Sequence, residues 1–176
     1  MSAGAASVGL TWEEMAPGRV VTTARRTVSE TDIVNYVNAM GFTEPLFIDM
    51  EHVRDATPFG TRIAPGLLTL SLAEGLVIQS RVMQSTAIAL VHLEFEASAP
   101  VRPDDTLGVA IEFVESRATS ASSARGVVRS RNVVTNQHGD VVLTYHPVRL
   151  IRGRSAMPTA TGSVAPGTTA TAAEPE

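Results

Sequence analysis

The sequence predicts an α+β fold in which a curved antiparallel sheet wraps around one central helix. The run Gly66 to Ser80, GLLTLSLAEGLVIQS, is apolar on nearly all sides, and a helix of that kind has to be buried. Four later stretches are rich in Val, Leu, Ile and Phe, at 87–96, 106–115, 124–135 and 141–151. Their partial alternation is typical of strands that form an antiparallel meander.

The length and the composition predict a single domain. The chain has 176 residues, of which 44% are hydrophobic and 18% charged, and a chain of that size buries about 70% of its unfolded surface. We expect a flexible N-terminus over 1–10, one folded domain over 11–153, and a disordered Ala/Thr/Pro-rich tail over 154–176. The tail has almost no large apolar side chain to bury.

The residues before the central helix predict one strand and one shorter helix. The segment 18–27 carries β-branched residues that are typical of a first strand. Ser29, with an Asp three residues on, has capping-box spacing and predicts a helix start, and Gly41 predicts its end. A loop over 42–49 and a helical turn over 50–56 then lead towards the central helix.

A buried helix that is preceded in the sequence by one strand and followed by four others indicates the hot-dog arrangement. A single sheet of this kind leaves one edge strand and one face beside the helix uncovered. Exposed edges are normally covered or blocked in proteins. We therefore expect the domain to dimerise through its sheet.

The composition excludes several classes of function. The net charge is -4, and no cluster of Lys and Arg is interleaved with aromatic residues, so we expect no nucleic-acid partner. No window approaches the ~20 apolar residues of a membrane span, and the first residues lack the basic start of a signal peptide. This predicts a cytoplasmic protein with no membrane partner. Because the chain has no cysteine, disulfides and thiolate chemistry are excluded.

The histidines do not predict a metal site. They lie on separate predicted elements, without the spacing of metal ligands, at His52, His92, His138 and His146. We assign them no role, and we expect neither a metal nor a cofactor.

Several segments, taken in order, resemble one family. They are the helix SETDIVNYVNAMG, the loop GFTEPLFIDMEHVRDATPFG, the junction RIAPGLLTLSL, the turn APVRPDDTL and the hairpin NVVTNQHGDVVLTY. Together they resemble the MaoC-like R-specific enoyl-CoA hydratases and 3-hydroxyacyl-thioester dehydratases, which have the hot-dog fold. The resemblance implies an acyl-CoA or acyl-carrier-protein thioester as the ligand.

The loop departs from the family at the positions that matter most for catalysis. The family pattern is G-D-x-N-P-x-H-x-D, in which an Asp and a His form the dyad that moves water across the double bond. Here Phe42 stands at the Asp position, Glu44 at the Asn position and Phe47 at the His position. Phenylalanine transfers no proton. We expect the two phenylalanines to line the acyl site, while Asp49 caps the helical turn that follows.

The resemblance leaves three further candidates near the site. It implies that the backbone N–H of Gly66 polarises the thioester carbonyl, although the preceding family His is Pro65 here. The alternative role of this glycine is close packing of the helix. Glu74 matches in offset the catalytic carboxylate of hot-dog acyl-CoA thioesterases; its alternative role is an ion pair with an Arg or a helix N-terminus at the dimer interface. Glu44 is either a replacement for the lost Asp or a solvated loop carboxylate.

Two arginines are candidates for binding the phosphates of CoA through charge-assisted hydrogen bonds. Arg62 precedes the central helix, and Arg102 lies beside the Pro103 turn. The alternative for both is that they are surface arginines with no binding role.

Three functions remain open on the sequence. The first is a divergent enoyl-thioester hydratase or 3-hydroxyacyl dehydratase in which Glu44 or Glu74 takes over proton transfer. The second is a non-catalytic acyl-binding subunit of a heteromeric hot-dog dehydratase, whose partner supplies the dyad. The third is an acyl-CoA thioesterase that uses Glu74. The expected assembly is a homodimer, or a heterodimer with another hot-dog subunit.

Overall fold

The computed structural model of the chain describes residues 8–119 and 122–157. The helices within these ranges are α1 (Glu30–Met40), α2 (Pro45–Ile48), α3 (Met50–Ala56) and α4 (Gly66–Gln79). The strands there are β1 (Val20–Thr22), β2 (Arg26–Thr27), β3 (Ala87–Ala97), β4 (Thr106–Thr119), β5 (Ser122–Thr135) and β6 (Val141–Arg152). The α+β prediction is confirmed.

The residues that were predicted to cap the helices before the central helix do so in the structure. Ser29 caps α1, and the reciprocal bonds of a capping box with Asp32 are both present. Gly41 ends the helix with a φ of 67°, in the left-handed region that glycine adopts without strain. Asp49 caps α3 by accepting hydrogen bonds from the next turn.

The predicted loop over 42–49 is wrong in part, because residues 45–48 form the short helix α2. Pro45 stands at its first position, where a fixed φ favours a helix start and the missing N–H costs nothing. The single strand predicted over 18–27 is likewise two short strands. Between them, Thr23 accepts a hydrogen bond from the N–H of Val109 through its side chain, which replaces a ladder bond.

The strands form an antiparallel sheet in the order β1-β4-β5-β6-β3, with β2 also paired to β4. The predicted meander is correct for β4, β5 and β6 but wrong for β3, which pairs with β6. The outer side of β4 is already taken by β1 and β2. The connection 98–105 therefore carries the chain from the edge strand β3 across the sheet to β4, which lies next to the opposite edge.

The central helix α4 lies in the core of this sheet, as predicted. Its buried side chains are Leu68, Thr69, Leu70, Leu72, Ala73, Leu76 and Val77. All of them except Thr69 belong to one apolar cluster that also contains inward-facing residues of β4, β5 and β6. One side of α4 remains exposed, at Leu67, Ser71 and Ile78.

Both predicted flexible ends fall largely outside the described residues. Of the predicted N-terminus, 1–7 lie outside them, while Gly9 and Leu10 donate backbone hydrogen bonds to Gln84 and Val82. Of the predicted tail, 158–176 lie outside them, and the described part begins with a 3-10 helix at Arg154–Ala156.

Candidate functional site

A groove opens where α4 begins, between the helix, the end of β3 and the start of β6. Its volume is about 290 Å³. Its wall is mainly small or apolar, and includes Ala64, Ala97, Ala99, Val101 and Leu143. Among the residues that the structure describes, Thr69 and Ser98 are the polar side chains that line it, and no Asp, Glu, His, Lys or Arg does. We call it the Gly66 groove, after the glycine in its wall.

Gly66 is the first residue of α4 and brings the helix N-terminus to this groove. The first N–H groups of a helix have no partner inside it, and the N-cap here is Pro65, which makes no side-chain cap bond. A Cβ added at Gly66 would lie 4.0 Å from the nearest atoms, which belong to Phe95 and Ala97. The helix start is thus open to a ligand and has a partial positive charge.

Phe42 and Phe47 pack on each other at the corner where the resemblance would place the Asp-His dyad. Their ring centroids are 5.7 Å apart, and the ring of Tyr36 meets Phe42 edge-on at 5.8 Å. All three pack against the hydrophobic core. These contacts are typical of an aromatic cluster that stabilises the fold.

The loop that carries these phenylalanines is tied to its surroundings by Arg62. Its guanidinium donates to the carbonyl oxygen of Phe47 at 2.7 Å and to the carboxylate of Glu30 at 3.0 Å. The side chain is only 14% exposed, so its donors already serve the fold rather than an incoming phosphate. The guanidinium of Arg102 has no hydrogen bond or ion pair among the described residues.

The two candidate carboxylates lie in different surroundings, and neither lines the Gly66 groove. Glu44 is exposed, at the N-cap of α2, and its side chain makes no capping bond. Glu74 points towards β6, where its Oε2 accepts a hydrogen bond from Arg149 at 2.5 Å. The side chains of Arg149 and Glu74 are 9% and 23% exposed. This ion pair lies within the fold of one chain, whereas the expected alternative role for Glu74 was an ion pair at the dimer interface.

The ion pair belongs to a larger polar group inside the fold, which we call the Glu74 cluster: Glu74, Arg149, Tyr145 and Asn132. Tyr145 and Asn132 are fully buried and face each other across β5 and β6. Burial, together with the negative charge of Glu74, raises the pKa of Tyr145 above its ordinary value. The tyrosine hydroxyl therefore keeps its proton.

Sequence reasoning missed Arg149, Tyr145 and Asn132. A signal was present, because Arg149 follows Leu143 and Tyr145 in the same inward phase of β6, and Asn132 precedes the inward-facing Val134 on β5. Polar residues in a buried phase of a strand require partners. The partner of Arg149 is 75 residues away in sequence, so the strand pattern alone could not identify it.

Within the described ranges, no group of three or more His, Asp or Glu residues could hold a metal ion. The longest helix there, α4, has 14 residues, and none of the helices in that part of the chain is both long and apolar enough to cross a bilayer.

Comparison with known proteins gives a family and two sequence relatives. Residues 13–137 match the family described as MaoC like domain. The chain is 34% identical over 100 residues to Protein MaoC of Klebsiella aerogenes and 35% identical over 92 residues to 3-hydroxybutyryl-CoA dehydratase of Methylorubrum extorquens. These alignments cover 56% and 52% of the chain, but only 29% and 56% of the two relatives. The chain thus spans about half or less of their length.

Solved structures agree with this assignment. A protein titled monoamine oxidase regulatory protein from Archaeoglobus fulgius is 33% identical, with a TM-score of 0.76 over 84% of this chain and 97% of that one. The C-terminally truncated HadBC complex of Mycobacterium tuberculosis, titled a 3R-hydroxyacyl-ACP dehydratase, shares the fold. It has 18% identity and a TM-score of 0.63 over 77% of this chain and 98% of that one. The chain belongs to the MaoC-like hydratase and dehydratase family of hot-dog proteins.

Proposed function

We propose that the chain is an acyl-thioester-binding subunit of a MaoC-like hydratase or dehydratase, and that it does not itself supply the acid and the base. The Gly66 groove carries this proposal, because it combines an apolar wall with open helix N–H groups and has no ionisable side chain in its lining. Adding water to an enoyl thioester requires proton transfer by positioned groups. The groove supports binding and polarisation without that transfer.

The thioester would bind with its carbonyl oxygen at the start of α4. The N–H of Gly66 and the positive end of the helix dipole favour the partial negative charge on that oxygen. The acyl chain would then lie against the apolar wall, near Ala99, Val101 and Leu143. The carrier is CoA or an acyl carrier protein.

The acid and the base would come from a second hot-dog chain on the free edge of β3. Four large apolar residues of this strand are exposed and form what we call the β3 face: Ile88, Leu90, Val91 and Phe95. Exposed apolar edges of this length are interaction surfaces or aggregation hazards. Phe95 lies beside Gly66, and Ala97 lines the groove. A chain that covers the β3 face would therefore border the bound thioester.

One observation on Glu74 favours two other candidate functions, a divergent hydratase and a thioesterase. Its Oε1 is buried and has no hydrogen-bond partner in the described structure. A carboxylate with a free oxygen is the group that either mechanism would need. Against both stands its Oε2, which is held by Arg149, and its absence from the lining of the Gly66 groove.

Binding and turnover can be measured on the same sample. Crotonyl-CoA is titrated into the purified chain by calorimetry, and the mixture is then analysed for 3-hydroxybutyryl-CoA and free CoA. We expect binding with neither product. Free CoA serves as the control ligand and should bind more weakly, because it lacks the acyl group. Absence of crotonyl-CoA binding, or steady hydration by the chain alone, would contradict the proposal.

The role of the β3 face is tested by light scattering on charged variants. In isolation the face should pair with a second copy, so we expect the wild type to be a dimer. Leu90→Lys should shift it to the monomer, because an apolar interface excludes an unpaired charge. Val114→Lys is the matched control, since Val114 is as exposed but lies on β4. Equal masses for all three proteins would show that the β3 face is not the interface.

A further inference from the structure

A second cavity lies at the other end of α4, between the last turn of the helix and the start of β3. Its volume is about 570 Å³, roughly twice that of the Gly66 groove. Three apolar and three polar residues of its lining are Ile78, Met83, Ala87, Gln79, Arg81 and Ser85. We call it the Arg81 pocket. An apolar wall with a few polar groups and one charge is the usual composition of a ligand site.

The polar side chains of the Arg81 pocket are free to bind a ligand. Gln79, Arg81 and Ser85 are exposed, and their side chains make no hydrogen bond or ion pair within residues 8–119 and 122–157. Arg81 and Ser85 have φ angles of 60° and 63°, in the left-handed region that residues with a side chain rarely adopt. Glycine is usual just beyond a helix end, and strained residues cluster at ligand sites. The pocket therefore has an available cation on a strained loop.

Within one chain the Arg81 pocket is far from the Gly66 groove, but a second copy brings the two kinds of site together. Gly66 and Gln79 are the ends of α4, 13 residues or about 20 Å apart. When two copies pair through the same edge strand, the contact is two-fold symmetric, and the two β3 strands run antiparallel. Ala87 begins β3 and lines the pocket, while Ala97 ends β3 and lines the groove. The pocket of each copy therefore adjoins the groove of the other.

Both ends of β3 also face the same side of the sheet. Ala87 pairs with Ile151, and Ala97 pairs with Leu143. Ile151 and Leu143 are fully buried members of the core that contains α4, so all four residues lie on the helix side of the sheet. A two-fold axis perpendicular to the sheet keeps the helix sides of both copies together. A ligand in the groove of one copy can therefore continue into the pocket of the other.

We propose that the Arg81 pocket of one copy binds the phosphopantetheine arm of a thioester whose carbonyl lies in the Gly66 groove of the other copy. This rests on the proposed function, which places the carbonyl at Gly66 and a second chain on the β3 face. The phosphate of the arm accepts charge-assisted hydrogen bonds from Arg81. The amides of the arm can bond to Gln79 and Ser85, and its dimethyl group packs on the apolar wall. CoA and acyl carrier protein share this arm.

The two arginines nearer the groove in the same chain are less suited to the phosphate. The guanidinium of Arg62 is already bonded inside the fold. Arg102 lies beside the carboxylate of Asp105, which accepts a hydrogen bond from the backbone N–H of Arg102. That negative charge opposes the binding of an anion. The lining of the Arg81 pocket contains no carboxylate among the described residues.

The contribution of the phosphate is measured by calorimetric titration of the whole chain with crotonyl thioesters of pantetheine, 4′-phosphopantetheine and CoA. In the wild type the phosphate should tighten binding about tenfold, the value of a hydrogen bond to a charged group. Arg81→Gln should lose this gain. Arg131→Gln is the matched control and should keep it, because Arg131 is an exposed arginine on β5. A further gain from CoA identifies CoA as the carrier, and no further gain indicates the carrier protein; both results agree with the proposal.

Three results would overturn this inference while leaving the role of the groove intact. They are equal affinities of the wild type for the pantetheine and phosphopantetheine thioesters, a phosphate gain that survives in Arg81→Gln, and a gain that is lost in Arg102→Gln instead. If none of the three thioesters binds, the proposed function fails as well.

Mixed dimers show whether the arm crosses between copies. A dimer of one Arg81→Gln copy and one Gly66→Pro copy, isolated through two different tags, has one site with both groups intact. Half of its sites should bind crotonyl-phosphopantetheine as the wild type does, although neither variant does so alone. A copy with both substitutions, paired with a wild-type copy, should have no intact site. The reverse pattern, or a chain that does not dimerise, would overturn the proposal. Gly66→Leu, which blocks the groove, replaces Gly66→Pro if proline prevents folding.

Discussion

The Gly66 groove and the Glu74 cluster lie on the same helix and differ in almost every property. The groove has a volume of about 290 Å³ and no ionisable side chain in its lining. The cluster has a carboxylate, a guanidinium, a phenol and an amide, but it is closed, and its tyrosine and asparagine are fully buried. The space for a ligand and the groups for chemistry are in separate places.

This separation agrees with the proposed role of the chain as a binding subunit. The helix α4 starts at Gly66, beside the groove, while Phe42 and Phe47 pack on each other at the positions where the resemblance would place the dyad. The simplest function for such a site is to bind and polarise a thioester without transferring protons. If this is correct, changes in the Glu74 cluster should alter the stability of the protein, and changes in the Gly66 groove should alter its binding of thioesters.

The largest expected effect is the loss of protein stability when the ion pair of the Glu74 cluster is broken. Arg149→Met removes the partner of a largely buried carboxylate, and should lower the free energy of unfolding by about 2–3 kcal/mol. Urea denaturation measures this. The control Arg131→Met should cost less than about 0.5 kcal/mol, because the contact of Arg131 with Glu112 is exposed and 3.9 Å long.

A double variant separates the ion pair from the volume of its side chains. Glu74→Met with Arg149→Met removes both charges, so the protein should be more stable than with Arg149→Met alone. A double variant as unstable as the single one would show that packing, not the unpaired charge, causes the loss.

The second prediction concerns alkaline pH. The raised pKa of Tyr145, caused first by burial and then by the charge of Glu74, means that the folded state holds this proton when the unfolded state releases it. Stability from this group is therefore complete below a pH of about 10, and falls above it by up to about 1.4 kcal/mol per pH unit. In Tyr145→Phe the fall should be smaller. A curve for Tyr145→Phe equal to that of the wild type would contradict the prediction.

The third prediction tests the groove without changing its shape greatly. Gly66→Pro deletes the N–H that would bind the carbonyl, and the first helix position accepts proline, as does the extended conformation of the preceding residue, whose ψ is 142°. Crotonyl-CoA should bind about three to ten times more weakly, the value of one hydrogen bond. Gly66→Ala keeps the N–H and should bind like the wild type, because its Cβ has no neighbour closer than 4.0 Å.

The smallest expected effect is on the rates of hydration and of CoA release when the two candidate carboxylates of the chain are replaced. Glu44→Gln and Glu74→Gln should both leave the rate of CoA release and of hydration at the background level of the wild type, because neither residue lines the groove. Product analysis over a panel of acyl-CoAs measures this. A wild-type activity that Glu74→Gln abolishes, with folding intact, would favour the thioesterase or the divergent hydratase instead.

The sequence was sufficient for features that depend on neighbouring residues. The capping box at Ser29, the left-handed end at Gly41 and the burial of α4 all follow from local pattern, and the structure confirms them. The pairing of β3 with β6 was not predictable in this way. It depends on which strand edges are already occupied, and that is a property of the whole sheet.

The same distinction between local and long-range information applies to the residues of the candidate site. Gly66 and the two phenylalanines came from motif positions within the segment 41–66, and the structure places Gly66 at a groove and the phenylalanines in contact. Asn132, Tyr145 and Arg149 meet Glu74 only through the register of β5 and β6 and the position of α4. No single stretch of sequence contains that information.

The most direct test of the central claim is a crystal structure of the chain with a non-hydrolysable amide analogue of crotonyl-CoA, in which NH replaces the thioester sulfur and the carbonyl group is kept. We predict that the carbonyl oxygen lies about 3 Å from the backbone nitrogen of Gly66, and that no carboxylate or imidazole of this chain lies within hydrogen-bond distance of the carbon atoms of the double bond. A ligand whose double bond lies against Glu44 or Glu74, or one that binds away from the Gly66 groove, would contradict it.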